Sequence, residues 1–357
     1  MKGCFNMDKK IRYAVIGCGD FGGNHLYSLV QIDEIEVVAL MDLHIEHCEE
    51  KKATYKLSNA NCYDNLEEMF EKEDFDVALV ATSDRGHAPS TIYALQHGKH
   101  VVCEKPMSLF VDECVDMVKA ADEAGKHLLV GQVCRYAPGF MKAKELVEDG
   151  VIGELYFVES EYAHDYLGLD GVDGWRTDVE REPIIGGACH AIDLLRWIAG
   201  DPIETTAYSN HKNLKDWPTN DTTVAIFKFP NNVIGKVFTS IGCKREYTMR
   251  TVLYGTKGTI IVDNTNPDLI LYLEQIDGAP FAAGQVKGLS EKTVKHMIKV
   301  EIANHNVYEE HKSMIAAIKD GAPIKTTGRE GARTVCVCRA VVQSAKEGKT
   351  IQIEYPV

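Results

Sequence analysis

Up to Gly131, short apolar runs alternate with longer stretches in which apolar residues recur every three or four positions. The runs 11–16, 36–41, 77–81, 100–103 and 127–131 are of the kind buried on both faces of a parallel sheet. Segments 24–32, 45–55, 66–73, 89–97 and 109–124 predict the intervening helices. Such alternation predicts a doubly wound α/β domain with its ligand at the carboxyl ends of the strands. After Gly131 the texture changes. Residues 137–149 read as one amphipathic helix ended by Gly150, and longer alternating strands follow at 155–162, 205–209, 222–229, 233–241, 250–254, 258–262 and 269–275. Phe229-Pro230-Asn231-Asn232-Val233 has the residues of a hairpin turn. A helix at 186–198 is expected among these strands, with late helices at 304–319 and 329–346 and a last strand at 350–354. The second half therefore predicts an α+β domain around a large, mostly antiparallel open sheet.

The turn after the first run is Gly17-Cys18-Gly19-Asp20-Phe21-Gly22, and the second run ends in Asp42, 25 residues beyond Gly17. Strand, glycine turn, helix and strand-end acid together make a dinucleotide fingerprint. The first glycine permits the tight turn, the second lets backbone approach a pyrophosphate, and the third lets helix pack on strand. The helix N-terminus brings N–H groups and a positive dipole end to the phosphates. A carboxylate at Asp42 suits ribose hydroxyls and repels a 2′-phosphate, and no Arg stands among Leu43, His44 and Ile45. NAD is the expected cofactor.

A chain of 357 residues predicts two domains, with 1–131 binding NAD and 132–357 binding substrate and carrying oligomer contacts, the late helices free to pack back on the first. The net charge of −14, with no basic run longer than a pair, argues against nucleic acid or an anionic membrane as partner. No apolar stretch approaches a bilayer span, and the N-terminus lacks the apolar core of a signal peptide. Eleven cysteines are scattered without a CxxC pair, which is the usage of a reduced, cytoplasmic protein, and no metal site is assigned.

Three constellations carry candidate chemistry. Glu104-Lys105-Pro106 ends a strand beside the expected crevice, where proline holds Lys105 extended; taken alone, Lys105 reads equally as a surface cation. His190 stands near a helix start with Asp193 on the same face, an arrangement more often structural than catalytic. Tyr162, His164, Asp165 and Tyr166, then Trp175-Arg176, mix aromatic and polar groups as sugar sites do, and as ordinary loops also do.

These motifs resemble the glucose–fructose oxidoreductase / inositol dehydrogenase / rhizopine-catabolism family of oxidoreductases over nearly the whole chain. The resemblance rests on the fingerprint; on Ala81-Thr82 followed by His87; on Gly98 through Glu104-Lys105-Pro106-Met107; on Arg135-Tyr136 with Pro138; on Gly150-Val151-Ile152-Gly153; on Trp175-Arg176; and on Gly186-Gly187 through His190, Asp193, Arg196 and Trp197. It implies hydride transfer between NAD and a secondary hydroxyl of a sugar, glycoside or polyol. It makes Lys105 and His190 the catalytic pair, brought together across the domain boundary on one carbinol. It implies cofactor contacts from Gly17, Gly19, Asp20, Phe21, Gly22, Asp42, Thr82, His87, Glu104 and Lys105. Substrate contacts fall to Arg135, Tyr136, His164, Asp165, Trp175, Arg176 and His190, and the second domain's sheet implies a homo-oligomer, dimer or tetramer. One departure stands out. Many relatives carry Asp four residues before the His, where this chain has Gly186. Asp165 or Asp178 is then the candidate replacement, and a branch of glycoside 3-dehydrogenases making 3-keto sugars is suggested. A redox-neutral glycoside-cleaving enzyme with retained NAD and a non-catalytic NAD or sugar sensor stay open as alternatives.

Overall fold

The computed structural model describes residues 10–167, 169, 174–274, 293–301 and 306–357. In chain order the elements are β1 (Ile11–Ile16), α1 (Asp20–Leu29), β2 (Ile35–Met41), α2 (Ile45–Thr54), β3 (Asn61–Tyr63), α3 (Leu66–Lys72), β4 (Val77–Val80), α4 (Asp84–Gln96), β5 (His100–Cys103), α5 (Val111–Ala124) and β6 (Leu128–Val130). There follow α6 (Pro138–Glu148), β7 (Leu155–Ala163), α7 (Pro183–Gly186), α8 (Cys189–Ala199), β8 (Glu204–Asn210), β9 (Thr222–Lys228), β10 (Ile234–Ser240), β11 (Thr248–Gly255), β12 (Gly258–Asp263), β13 (Asp268–Glu274), β14 (Thr293–Lys299), α9 (Val307–Asp320), α10 (Gly328–Glu347) and β15 (Ile351–Gln352). Gln275 and residues 304–305, expected to end a strand and to start a late helix, lie outside the described residues.

By packing, the chain divides into two compact units. The first holds the described residues up to Val133 with Asn306–Cys336 and Tyr355–Val357; the second holds those between Cys134 and His305 with Val337–Glu354. In the first, six parallel strands run in the order β3-β2-β1-β4-β5-β6. The order reverses between β1 and β4, which opens a crevice at their carboxyl ends. Helices cover both faces of these strands, and their fully buried positions are apolar: Ile11, Tyr13, Val15 and Leu79 lie in one core, Ala14, Ile16, Ala78 and Val80 in the other. Helix α9 joins the core that contains Val15, through Met314 and Ile315.

In the second unit nine strands run β14-β13-β12-β11-β7-β10-β9-β8-β15, antiparallel apart from the β7–β10 pair. Burial alternates along β9 and β10, as one covered and one solvated face requires. Three expectations need correction. The helix expected at 186–198 is two: α7 ends at Gly186 and α8 starts at Cys189. Between them a Cβ on Gly187 would come within 2.5 Å of the Tyr162 ring, so the chain hugs that ring where a longer helix would not. Helix α4 starts five residues before Pro89 and keeps that proline in its interior. The short strand β3 and the polar edge strand β14 were not expected at all.

Candidate active site

Backbone sterics build the candidate cofactor edge of the first unit. Gly17 follows β1 with φ +96°, and a Cβ there would lie 2.5 Å from the Ala81 carbonyl oxygen. A Cβ on Gly22 would sit 2.1 Å from the Gly17 carbonyl oxygen. Both positions therefore require glycine. At Gly19 nothing lies within 4 Å of where a Cβ would sit, so that position of the turn is open. Helix α1 starts at Asp20 with Phe21 next, and no side chain caps it at Gly19. Asp42, just past β2, bends over the turn. Its Oδ2 accepts from the Cys18 N–H at 2.8 Å, and its Oδ1 accepts from the His44 N–H at 3.0 Å. The open position at Gly19, the uncapped helix and the adjacent carboxylate fit a dinucleotide's pyrophosphate and ribose.

The loops after β4 and β5 complete this edge. Thr82 lies in the first, and its hydroxyl donates to the Ser83 carbonyl. His87 is buried, with Nδ1 2.8 Å from the Pro106 carbonyl oxygen and Nε2 3.2 Å from that of Thr82, so it links the two loops. Lys105 follows β5, and its Nζ lies 5.5 Å from the centre of the Phe21 ring inside the glycine turn. The cation and the fingerprint thus share one edge of one unit. Beside it Glu104 is buried, and its Oε2 accepts from the Lys105 N–H at 2.8 Å.

In the second unit His190 is the second residue of α8 and is 1% exposed. Around α7 and β7 an aromatic cluster has formed from segments far apart in sequence. Tyr162 and Tyr166 hydroxyls are 3.1 Å apart, and Tyr162 lies 3.4 Å from Nδ1 of His164. The His164 ring packs on Tyr247 at 4.8 Å, and Tyr166 meets Trp217 edge-on at 5.9 Å. Burial pushes the Tyr162 and Tyr247 hydroxyls well up. Arg176 and Arg181 lie over the Trp175 ring at 4.4 and 4.8 Å. Trp217 also lines a cleft of about 720 Å³ with Leu167, Thr177 and Asn213.

At Gly186, where relatives were expected to hold Asp, a Cβ would meet Nη1 of Arg181 at 2.3 Å, and Arg181 donates from Nη2 to the Gly186 carbonyl at 3.1 Å. The buried Arg181 guanidinium thus occupies the space that any side chain at 186 would enter. Of the two acids considered as replacements, Asp165 is bound to Lys244 at 2.8 Å, which holds its carboxyl below the usual range. Asp178 accepts from the Glu180 N–H. Arg135 is 3% exposed, and Asp193 grips it with two bonds of 2.8 and 2.6 Å. Tyr136 beside it is buried as well. Among the described residues, no group of three or more His, Cys, Asp or Glu could hold a metal ion, and no helix is long and apolar enough to cross a membrane.

Residues 11–132 match the family model described as "Oxidoreductase family, NAD-binding Rossmann fold", and residues 140–261 match "GFO/IDH/MocA C-terminal domain". The chain belongs to the GFO/IDH/MocA family of oxidoreductases. Its cofactor is NAD. Among relatives, it is 25% identical to the myo-inositol 2-dehydrogenase of Thermotoga maritima over 356 residues, 96% of this chain and 99% of that one. It is also 25% identical to the D-apiose dehydrogenase of Paraburkholderia graminis over 350 residues, 97% and 90% of the two chains. The fold recurs in an oxidoreductase from Agrobacterium radiobacter crystallised with NAD+, L-tartaric acid and magnesium, with a TM-score of 0.82 at 20% identity and coverage of 96% and 98%.

Within the first unit the expected cofactor residues cluster on one edge. Within the second, His164, Trp175 and Arg176 join the aromatic cluster, whereas Asp165 is paired with Lys244 and Arg135 with Asp193. Sequence reasoning missed Arg181, Trp217 and Tyr247, and it missed His25 and His311 in the first unit. No local motif marks them.

Proposed function

We propose that the protein is an NAD-dependent dehydrogenase that oxidises a secondary hydroxyl of a sugar, glycoside or polyol. The observation that carries this reading is Lys105 at the glycine turn: a strand-end cation 5.5 Å from the Phe21 ring of the cofactor-binding loop. NAD supplies the hydride acceptor. The Gly17–Gly22 turn and the start of α1 would hold its pyrophosphate, and Asp42 its ribose hydroxyls. His190 takes the alcohol proton while Lys105 polarises the developing alkoxide. His164, Trp175 and Arg176 hold the substrate by stacking and hydrogen bonds, and Arg135 acts through Asp193 as a support rather than a contact. The relatives named above act on inositol and apiose, which fits a polyol or sugar substrate.

The free thiols, with Cys18 and Cys48 sulfurs 3.6 Å apart, suit the cytoplasm. An oligomer is favoured by Tyr208, Val224, Ile226 and Ile234, apolar and exposed on neighbouring strands of the second sheet.

The test is a panel of inositols, glucosides and free sugars, including a screen for 3-keto products, read by NADH formation. Lys105→Ala and His190→Ala should each lower kcat by roughly 10²–10⁴-fold while NAD binding persists. Full turnover by either variant on the best substrate removes that residue's role. Product formed without NADH would instead favour the redox-neutral reaction.

A further inference from the structure

Behind Lys105 the core of the first unit holds a line of ionisable groups that the proposed reaction does not use. Glu104 Oε1 lies 2.9 Å from Nε2 of His25 on α1, and Nδ1 of the same ring lies 2.9 Å from Nε2 of His311 on α9. His25, His311 and the neighbouring Glu310 are at most 1% exposed. Tyr13 of β1 packs edge-on against His311 at 5.5 Å. The two histidines are 286 positions apart, so the line is made only by the fold.

We infer that His25 and His311 are positioning residues that hold Glu104 as an anion at the root of Lys105. An ionised Glu104 can only accept, so Nε2 of His25 must carry a proton and donate it. Nδ1 of His25 is then bonded to His311 in either sense, as acceptor from the His311 Nε2–H or as donor to it. Both arrangements keep the His25 ring turned toward Glu104. With Oε2 taken by the Lys105 N–H, both carboxylate oxygens are satisfied without solvent.

The surrounding charges agree. Burial alone would push the Glu104 carboxyl up, but the His25 bond, the charges of His25 and Lys105 and the Lys105 N–H bring it well below the usual range. Glu310, facing the same patch from α9, is pushed well above its ordinary value by burial and by Glu104. His311 is pushed well down, chiefly by burial. The Cys103 thiol is pushed up to about 12 by burial, and the Tyr13 hydroxyl is pushed up by burial and Glu310. Of these groups Glu104 alone is held as an anion by the line, and its field falls on Lys105.

This inference rests on the proposed role of Lys105, and the test separates the two. The protein is labelled with carboxyl-¹³C glutamate, E104Q assigns the Glu104 signal, and its titration is followed in wild type, H25L and H25Q. In wild type the carboxyl should stay ionised down to about pH 4; H25L should raise its midpoint by about two pH units or more, and H25Q, which keeps a donor, should restore it. With the best substrate, H25L should lose roughly 10–100-fold in kcat at pH 7 with KM for NAD nearly unchanged, its acid limb should move to higher pH, and H25Q should recover most of the loss. An unmoved Glu104 midpoint in H25L, an unshifted kcat–pH profile, or H25Q no better than H25L overturns the inference. If H25L does not fold, H311L removes the second bond and carries the same readouts. The titration needs no turnover, so a protein that oxidises none of the panel refutes the reading of Lys105 and leaves the charge of Glu104 still decided.

Discussion

The two units build their candidate clusters by different means. In the first, the cofactor turn is set by main-chain crowding: Gly17 against Ala81 and Gly22 against Gly17. In the second, the cluster around Tyr162, Trp175 and Arg181 is set by side chains from β7, the segment leading into α7, and Tyr247 just before β11. A site made by backbone sterics has few solutions and leaves a local motif. A site made by side-chain packing has many solutions, and its members are interchangeable in sequence so long as the space is filled. Position 186 is a case of this, since the guanidinium of Arg181, five residues earlier, occupies the space that a side chain there would enter.

The largest effect should come from breaking the buried pair that supports the second unit. Asp193→Asn leaves Arg135, 3% exposed, without its carboxylate and should destabilise by about 3–5 kcal/mol. Chemical denaturation would register this as a lowered midpoint, and a replacement of both residues by apolar ones of similar volume should restore much of the loss. If the single variant unfolds like wild type, the second unit depends less on its polar core than the comparison holds.

Next comes the cofactor turn. Gly17→Ala places a methyl 2.5 Å from a carbonyl oxygen at a φ of +96°, which should cost about 2–4 kcal/mol and weaken NAD binding more than tenfold. Calorimetric titration with NAD checks it. A variant that binds NAD normally would show that the turn is not fixed by its backbone.

A smaller effect tests the replacement at 186. Gly186→Asp must push aside the Arg181 guanidinium and should cost about 1–3 kcal/mol. Arg181→Ala vacates that space, so the double variant should be more stable than the sum of the two single effects predicts. Thermal melts of the four proteins complete the cycle, and simple additivity would mean that the two positions do not compete for one volume.

These differences explain what was legible in the chain. Short apolar runs such as 11–16 and 100–103 coincide with β1 and β5, because strands covered on both faces are mostly apolar and only half-buried positions such as Arg12 and His100 interrupt the pattern. The strand β14, Thr-Val-Lys-His-Met-Ile-Lys, lies at a sheet edge, mostly exposed, and so lacks that signal. The break between α7 and α8 depends on the Tyr162 ring, which no local rule sees. Among site residues, the fingerprint and Glu104-Lys105-Pro106 are contiguous and readable. The His25–His311 contact is not, because helical spacing at either residue alone predicts only burial.

The last prediction concerns pH and sets the two carboxyls of the first unit against each other. Glu310 is fully buried and held above its ordinary value by burial and by Glu104, so the folded protein keeps its proton where the unfolded chain has released it. Such a group favours the folded state fully only below the unfolded value of about 4.5, and that support is lost as pH rises toward the folded value. Glu310→Gln carries no proton to lose. Its Tm should therefore exceed that of wild type by a few degrees at pH 8, and the gap should close below about pH 4.5. Glu104 has the opposite sign: its carboxyl is held low, so its contribution is present above the unfolded value and disappears in acid. Replacing Glu104 by Gln should accordingly cost stability at pH 8, where replacing Glu310 gains it. Melts of both variants across this range check the pair, and two curves of the same sign would mean that the carboxyls are not held in opposite charge states.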